Sequence, residues 1–313
     1  MEKYLVTGGA GFIGSHLVGE LVSRGKEVRV FDNFSTGKKE NLSPYLGRIE
    51  LIEGDIRDFD LCKKAVEGVD FVLHQAALTS VSRSVEDPLF TVEVNIRGTL
   101  NLLLASRKMK VKGFVFASSS SVYGNDSLLP KREGKEGFPL SPYAMTKISG
   151  EMLCRLFFSL YSLPTISLRY FNIFGPRQDP SSPYAAVIPR FVTKMLAGER
   201  PVIFGDGTQT RDFTYVRNVV GANLLALQAK NAKGDAFNIA CGFGTSVNTL
   251  VEKINSILGS DLKPIYRSPR PGDILHSFAD ISKAKKFLNY RPDVDFEEGL
   301  RMTIEWYKKG NKE

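Results

Sequence analysis

Short apolar runs alternate with longer stretches of helical periodicity through the first half of the chain. Tyr4-Leu5-Val6-Thr7 reads as a strand, and Leu17, Val18, Leu21 and Val22 then recur on one helix face. Further strands are expected at 27–31, 49–52, 71–73, 113–117 and 165–170. Asp58 suits a helix N-cap. A periodic run at about 91–108 carries Val94, Leu100, Leu103 and Leu104. A second, at about 143–161, carries Leu153, Leu156, Phe157 and Leu160 until Ser162-Leu163-Pro164 stops it. Such alternation predicts an α/β fold with a parallel, doubly wound sheet. Ligands of such sheets lie at the carboxyl ends of the strands, where Ser118-Ser119-Ser120-Ser121 falls.

The pattern changes after about residue 171. The segment 175–183 is rich in Pro, Ser and Gly and reads as a long irregular loop. Shorter strands and helices follow. The expected division is a main domain over 1–171 plus about 203–235, with a smaller α/β lobe over about 172–202 and 236–313. The helix around 216–230 is expected to return to the main domain.

Composition narrows the class. The chain has 313 residues, enough for one large domain with a lobe. Its 42% hydrophobic content is ordinary, and no apolar run is long enough to span a membrane. A strand begins almost at Met1, which leaves no room for a signal peptide, and a cytoplasmic location is expected. Cys62, Cys154 and Cys241 are scattered, which points to buried thiols in a reducing compartment. His16, His74 and His276 are too dispersed for a metal site. The net charge of +8 is spread along the chain, and no RNP-like aromatic motif occurs, so nucleic acid is not an expected partner. A basic balance suits a phosphate-bearing small substrate.

Two motifs carry chemistry. Gly8, Gly11 and Gly14 lie between the first strand and the first helix, with GxxGxxG spacing. Glycines there allow backbone N–H groups to approach a pyrophosphate at a helix N-terminus. Asp32 ends the second strand at the offset of an acid that binds a ribose 2′-hydroxyl. The sheet is thus of the Rossmann type, and the acid favours NAD over NADP. The second motif is Tyr143-Ala144-Met145-Thr146-Lys147. Four residues apart on a helix, the phenol and the ammonium share a face. The cation is expected to lower the phenol's pKa and make it an acid/base group for a hydroxyl.

Taken with Asp55-Ile56-Arg57-Asp58, His74-Gln75-Ala76-Ala77, Ser119 to Gly124 and Arg169-Tyr170-Phe171-Asn172, these motifs resemble the extended short-chain dehydrogenase/reductases. More narrowly, the chain resembles the nucleotide-sugar 4-epimerases acting on UDP-glucose or UDP-N-acetylglucosamine. The resemblance spans nearly the whole chain. It implies a permanently held NAD, contacted by Gly8, Gly11, Phe12, Ile13, Gly14, Asp32, Asn33, Asp55, Ile56, Gln75, Ala76, Ala77, Asn95, Tyr143, Lys147 and Tyr170. It implies Tyr143 as the base at the sugar 4-hydroxyl, Lys147 as its electrostatic partner and Ser119 as the group that aligns the 4-oxygen. A transient 4-keto sugar would turn over and be reduced on its other face.

The resemblance also implies a UDP-sugar site built from Ser80, Ser119, Ser120, Ser121, Tyr143, Asn172, Ala186, Val187, Phe204, Arg211, Arg270, Asp273 and Ser277. Arginine suits a diphosphate clamp because its fork meets two oxygens at once. Dehydratases and decarboxylases of the superfamily carry carboxylic acids where this chain has Ser120 and Ser121, so neither reaction has its acid. UDP-glucuronate 4-epimerases are the nearer alternative, and they tend to have Thr where this chain has Asn172. Ser277 occupies a position beside the sugar C2 substituent, where a tyrosine would crowd an N-acetyl group. A substrate pair of UDP-GlcNAc and UDP-GalNAc is expected, with UDP-Glc and UDP-Gal as a possible second pair. The runs at about 91–108 and 143–161 resemble the helices through which family members pair as a dimeric four-helix bundle.

Overall fold

The computed structural model describes residues 2–180, 186–269 and 274–310. In chain order, β1 (Lys3–Thr7) leads to α1 (Phe12–Ser23), β2 (Glu27–Asp32), β3 (Ile49–Glu53), α2 (Phe59–Val66) and β4 (Phe71–His74). Next come α3 (Val81–Glu86), α4 (Pro88–Val92), a π-helical turn over Glu93–Arg97, α5 (Gly98–Lys108), β5 (Gly113–Ser119), α6 (Pro142–Tyr161) and β6 (Thr165–Tyr170). The rest comprises β7 (Ile173–Phe174), α7 (Val187–Leu196), β8 (Val202–Phe204), β9 (Thr210–Arg211), β10 (Thr214–Tyr215), α8 (Val216–Gln228), β11 (Ala236–Ile239), β12 (Thr245–Ser246), α9 (Val247–Leu258), β13 (Ile265–Arg267), β14 (His276–Ser277), α10 (Ser282–Leu288) and α11 (Phe296–Gly310).

Seven parallel strands form one sheet in the order β11-β6-β5-β4-β1-β2-β3. The strand order reverses between β1 and β4, which opens a crevice at their carboxyl ends. Both faces are covered, as the continuous apolar runs of β1, β5 and β6 require. On one face, Leu17 and Leu21 of α1, Val219 and Ala222 of α8 and Ala284 and Leu288 of α10 join one core. On the other, Cys62 and Val66 of α2, Leu102 and Leu103 of α5 and Cys154 and Phe157 of α6 join a second. A third core belongs to the lobe, where α7, α9 and α11 bring Phe191, Leu250, Ile254, Leu300 and Ile304 around Phe174, Phe213 and Phe296.

Two expected borders are corrected. Residues 236–239 are not lobe: they form β11, the edge of the main sheet beside β6, because Phe237 and Ile239 are apolar enough to be fully buried there. The short strands within 202–215 are not part of the main sheet. β8 pairs with β13, β9 with β12 and β14, and β10 with β7. α8 does pack on the main sheet. Among the described residues, no helix is long and apolar enough to cross a membrane. No described cluster of three or more His, Cys, Asp or Glu could hold a metal ion.

Candidate active site

α6 begins where Ser141 Oγ accepts the Ala144 N–H at 3.1 Å and Pro142 fills the first helical position. Tyr143 therefore lies in the first turn, and its own N–H donates to Ser84 Oγ of α3 at 3.1 Å. Lys147 follows one turn later. Its Nζ donates to the Ala117 carbonyl of β5 at 2.7 Å and stands 5.8 Å from the Tyr143 ring centre. Ser119 closes the group at the end of β5, its hydroxyl near enough to favour the Tyr143 phenolate and accepting the Ser121 N–H at 3.2 Å. All three line a cleft of about 830 Å³ at the carboxyl ends of the strands.

Gly150 makes this approach of α6 to β5 possible. A Cβ on it would fall inside the van der Waals envelope of the Phe116 ring. Glycine in a helix normally weakens it, so its place here is a packing requirement.

The electrostatics differ from the expected pattern. Burial pushes the Tyr143 phenol above its ordinary range, and the Ser119 hydrogen bond only opposes that rise. Burial pushes the Lys147 ammonium down to about 8, against the field of Glu151. His74, buried between Thr7 and Thr99 hydroxyls at 2.7 and 2.9 Å, is held neutral, its pKa pushed down to about 3 by burial and by Lys147.

The other wall of the cleft is the glycine turn. Gly8 has φ +65°, and a Cβ there would lie 2.7 Å from the Ala76 nitrogen. Gly14 sits so tightly on the Gly8 carbonyl that no side chain fits. Gly11 precedes α1 and gives it no side-chain cap. The first N–H groups of α1 thus face an open cavity lined by Gly11, Phe12, Ile13 and Gly14. Asp32 is nearly buried at the end of β2, where it accepts the Ala10 and Phe34 N–H groups at 2.9 and 2.8 Å. Asn33, Asp55, Ile56, Gln75, Ala76, Ala77 and Tyr170 line the same cavity. Burial works to raise the Asp55 pKa, but hydrogen bonds from Arg57 and Asn33 outweigh it and hold the carboxylate ionised. A shallow glycine cradle, a bare helix N-terminus and an acid at the end of β2 fit a dinucleotide.

Toward the lobe, Ser120, Ser121, Asn172, Arg211 and Ser277 complete the lining. Arg211 and Ser277 are cross-strand neighbours in the β9/β14 pair. Ser121 Oγ is buried without a hydrogen-bond partner among the described residues, and this suits a site that takes a polar ligand.

Five expected contacts do not line the cleft. Asn95 turns its amide onto the backbone of Leu78, accepting its N–H at 2.8 Å and donating to its carbonyl at 3.0 Å, and also donates to Thr146 Oγ1 at 3.0 Å. It clamps the wall to α6 and is itself only 3% exposed. Ser80 is the N-cap of α3, accepting the Arg83 N–H at 3.1 Å. Ala186 and Val187 open α7, and Phe204 ends β8 opposite Arg267. Arg270 and Asp273 lie outside the described residues.

Three contributors were not singled out in the sequence. Glu151 continues the Tyr143–Lys147 spacing by one more turn, a signal that was available. Asp212, beside Arg211, is fully buried and accepts the Cys241, Gly242 and Ala279 N–H groups at 2.8, 2.9 and 3.2 Å. Asn223 binds Tyr170 and Gln75 from within an apolar stretch of α8, where nothing local marks it.

The profile of the NAD dependent epimerase/dehydratase family matches residues 4–240. The chain belongs to this family. NAD is its cofactor, in keeping with the cradle just described. Among solved structures, the UDP-N-acetylglucosamine 4-epimerase of Methanobrevibacter ruminantium, in complex with UDP-N-acetylmuramic acid, is 43% identical with a TM-score of 0.94, each chain covered to 99%. The UDP-glucose 4-epimerase of Thermotoga maritima, with UDP-glucose, is 42% identical with a TM-score of 0.93, again with 99% of each chain covered. The UDP-glucose 4-epimerase of Mycolicibacterium smegmatis is 38% identical over 310 residues, 98% of both chains.

Proposed function

We propose that this chain is a UDP-sugar 4-epimerase. The observation that carries the reading is the meeting of Tyr143, Ser119 and Lys147 on the wall that faces the family's dinucleotide cradle. When bound, oxidised NAD supplies the hydride acceptor and a fixed positive charge. Ser119 holds the sugar 4-oxygen by a hydrogen bond, and Tyr143 takes the 4-hydroxyl proton. Lys147 stabilises the phenolate that the buried site otherwise disfavours. With the hydride that the reduced cofactor would give back to C4 on the other face of the 4-keto sugar, Tyr143 returns the proton to O4, so no net redox change occurs. Ser120 and Ser121 offer no carboxylic acid, which argues against dehydration and decarboxylation.

Arg211 and Asn172 line the lobe end of the cleft and are read as the groups that meet the UDP diphosphate. Ser277 beside Arg211 leaves room at the sugar C2, which supports UDP-GlcNAc/UDP-GalNAc as the substrate pair, with UDP-Glc/UDP-Gal as a second pair. The exposed Met152, Leu156 and Leu160 of α6 support a homodimer built on that helix, which sedimentation would check. The central test is incubation of the purified protein with UDP-GlcNAc, UDP-Glc and UDP-glucuronate, with product identified by chromatography. UDP-GalNAc should form. Tyr143→Phe should lose turnover by at least about a hundredfold while retaining NAD; full activity in that variant sinks the assignment of the base.

A further inference from the structure

α6 and β5 meet through three polar contacts. Ser119 faces Tyr143, the Ala117 carbonyl takes Lys147 Nζ, and the Ser118 hydroxyl donates to Glu151 Oε1. Three consecutive strand residues thus hold three consecutive turns of the helix. Glu151 is gripped further by Arg169 of β6, the register partner of Ser118. Arg169 Nε and Nη2 reach the two carboxylate oxygens at 2.9 and 2.7 Å, a planar fork. The side chains of Arg169 and Glu151 are only 6% and 13% exposed. Arg169 also meets Glu136 and the Tyr123 hydroxyl, so its charge is answered more than once.

We propose that Glu151 is a positioning residue of the reaction, acting through Lys147: its carboxylate is the counter-charge that keeps the Lys147 ammonium charged and seated in a dry site. The inference rests on the reading of Lys147 given above. Lys147 is 4% exposed, and its Nζ makes one hydrogen bond to a neutral carbonyl and lies 5.0 Å from the Phe116 ring. The groups that face it are Tyr143 and Glu151 from α6, the His74 ring from β4 and the Phe116 ring from β5. Of these, Glu151 alone is a carboxylate, held in place by the Arg169 fork. Burying an ammonium without such a charge disfavours its protonated form. Arg169 and Ser118 hold both oxygens of the carboxylate, one helical turn beyond Lys147.

The test is Glu151→Gln, which keeps the shape and removes the charge. Lys147 must be charged for Tyr143 to work, so losing the counter-charge should end activity at lower pH. The basic limb of the kcat profile should move down by about one pH unit, with kcat at the wild-type limb falling about tenfold. KM for the UDP-sugar and NAD content should stay within about twofold, as Glu151 does not line the cleft. A purely structural role would lower the amplitude without moving the limb. A second readout needs no turnover. In cofactor-stripped protein with 13C-labelled lysine, the Lys147 resonance should titrate at lower pH in the variant, with Lys147→Arg locating the signal. Should Glu151→Gln fail to fold because Arg169 loses its partner, the double variant Glu151→Gln, Arg169→Gln removes both charges and should show a smaller shift in the same direction, since the carboxylate lost is nearer Lys147 in the helix than the guanidinium. An unmoved Lys147 titration overturns the inference whatever the activity does. Wild-type protein inert on every UDP-sugar, with Lys147 moving as expected, overturns the epimerase reading and leaves this role standing.

Discussion

At the scale of single residues, the site is shaped by what burial does to charge. Tyr143 and Lys147 are pushed toward neutrality in opposite senses, the phenol upward and the ammonium down to about 8 from an ordinary 10.5. Stability should report this directly. Between about pH 8 and 10.5 the unfolded chain binds more protons at Lys147 than the folded one, so this residue makes stability rise with pH across that window. Cofactor-stripped wild type should therefore gain on the order of 3 kcal/mol relative to Lys147→Met over the window, measured by urea denaturation at each pH. A constant difference between the two proteins would show that Lys147 is not depressed. The selection proposed for Ser277 is tested at the same scale. Ser277→Tyr should lower kcat/KM for the acetylated pair by about 10- to 100-fold and leave the UDP-Glc pair within a few-fold, because size exclusion acts only on the bulkier C2 group. Equal losses on both pairs remove Ser277 as the selector.

At the scale of elements, the decisive relation is how close α6 lies to β5. Gly150 permits it, and the capping of α6 by Ser141 and Pro142 fixes where the helix starts. Gly150→Ala places a methyl against Phe116, so either the ring or the helix must move. The expected cost is about 1–3 kcal/mol in a thermal or denaturant melt, as for other overpacked sites. Activity should fall more than NAD retention does, since Tyr143 and Lys147 ride on α6 while the glycine turn does not. A stable, fully active variant would mean the contact is looser than the structure has it. The clamp by Asn95 belongs here too. It was expected to touch the cofactor, but its amide satisfies the Leu78 backbone and Thr146, joining the wall after β4 to the helix that carries Tyr143 and Lys147.

At the scale of the whole molecule, function needs the lobe held against the sheet. Asp212 makes that connection. Its carboxylate gathers N–H groups from the segments after β11 and before α10, while its own N–H donates to the Ser277 carbonyl at 2.9 Å. Burial pushes this acid up to about 6 even though the backbone N–H groups oppose the rise. The folded protein then holds the proton longer than the unfolded one, so stability from this group is full at low pH and is lost as pH rises from about 4 to 6. The stability of wild type minus that of Asp212→Asn should fall by on the order of 3 kcal/mol across that range. A flat difference would mean the N–H groups outweigh burial. The same variant should raise KM for the UDP-sugar, since Arg211 and Ser277 lose their anchor, without loss of NAD.

The sequence by itself determined the alternation of strand and helix, the glycine turn with its acid, and the Tyr143–Lys147 pair. Each is written in local spacing, and local spacing dictates which groups share a turn or a face. It did not reveal that 236–239 completes the main sheet, that Asn95 faces a backbone, that Arg169 grips Glu151, or that Asp212 gathers backbone N–H groups beside Arg211. Those outcomes depend on which segments, distant in the chain, meet in space: β11 against β6, Leu78 against the helix before α5, Arg169 against α6. Nor could spacing say that Lys147 is itself depressed. Solvent exclusion around a side chain is a property of everything packed over it, and only the tertiary structure decides that.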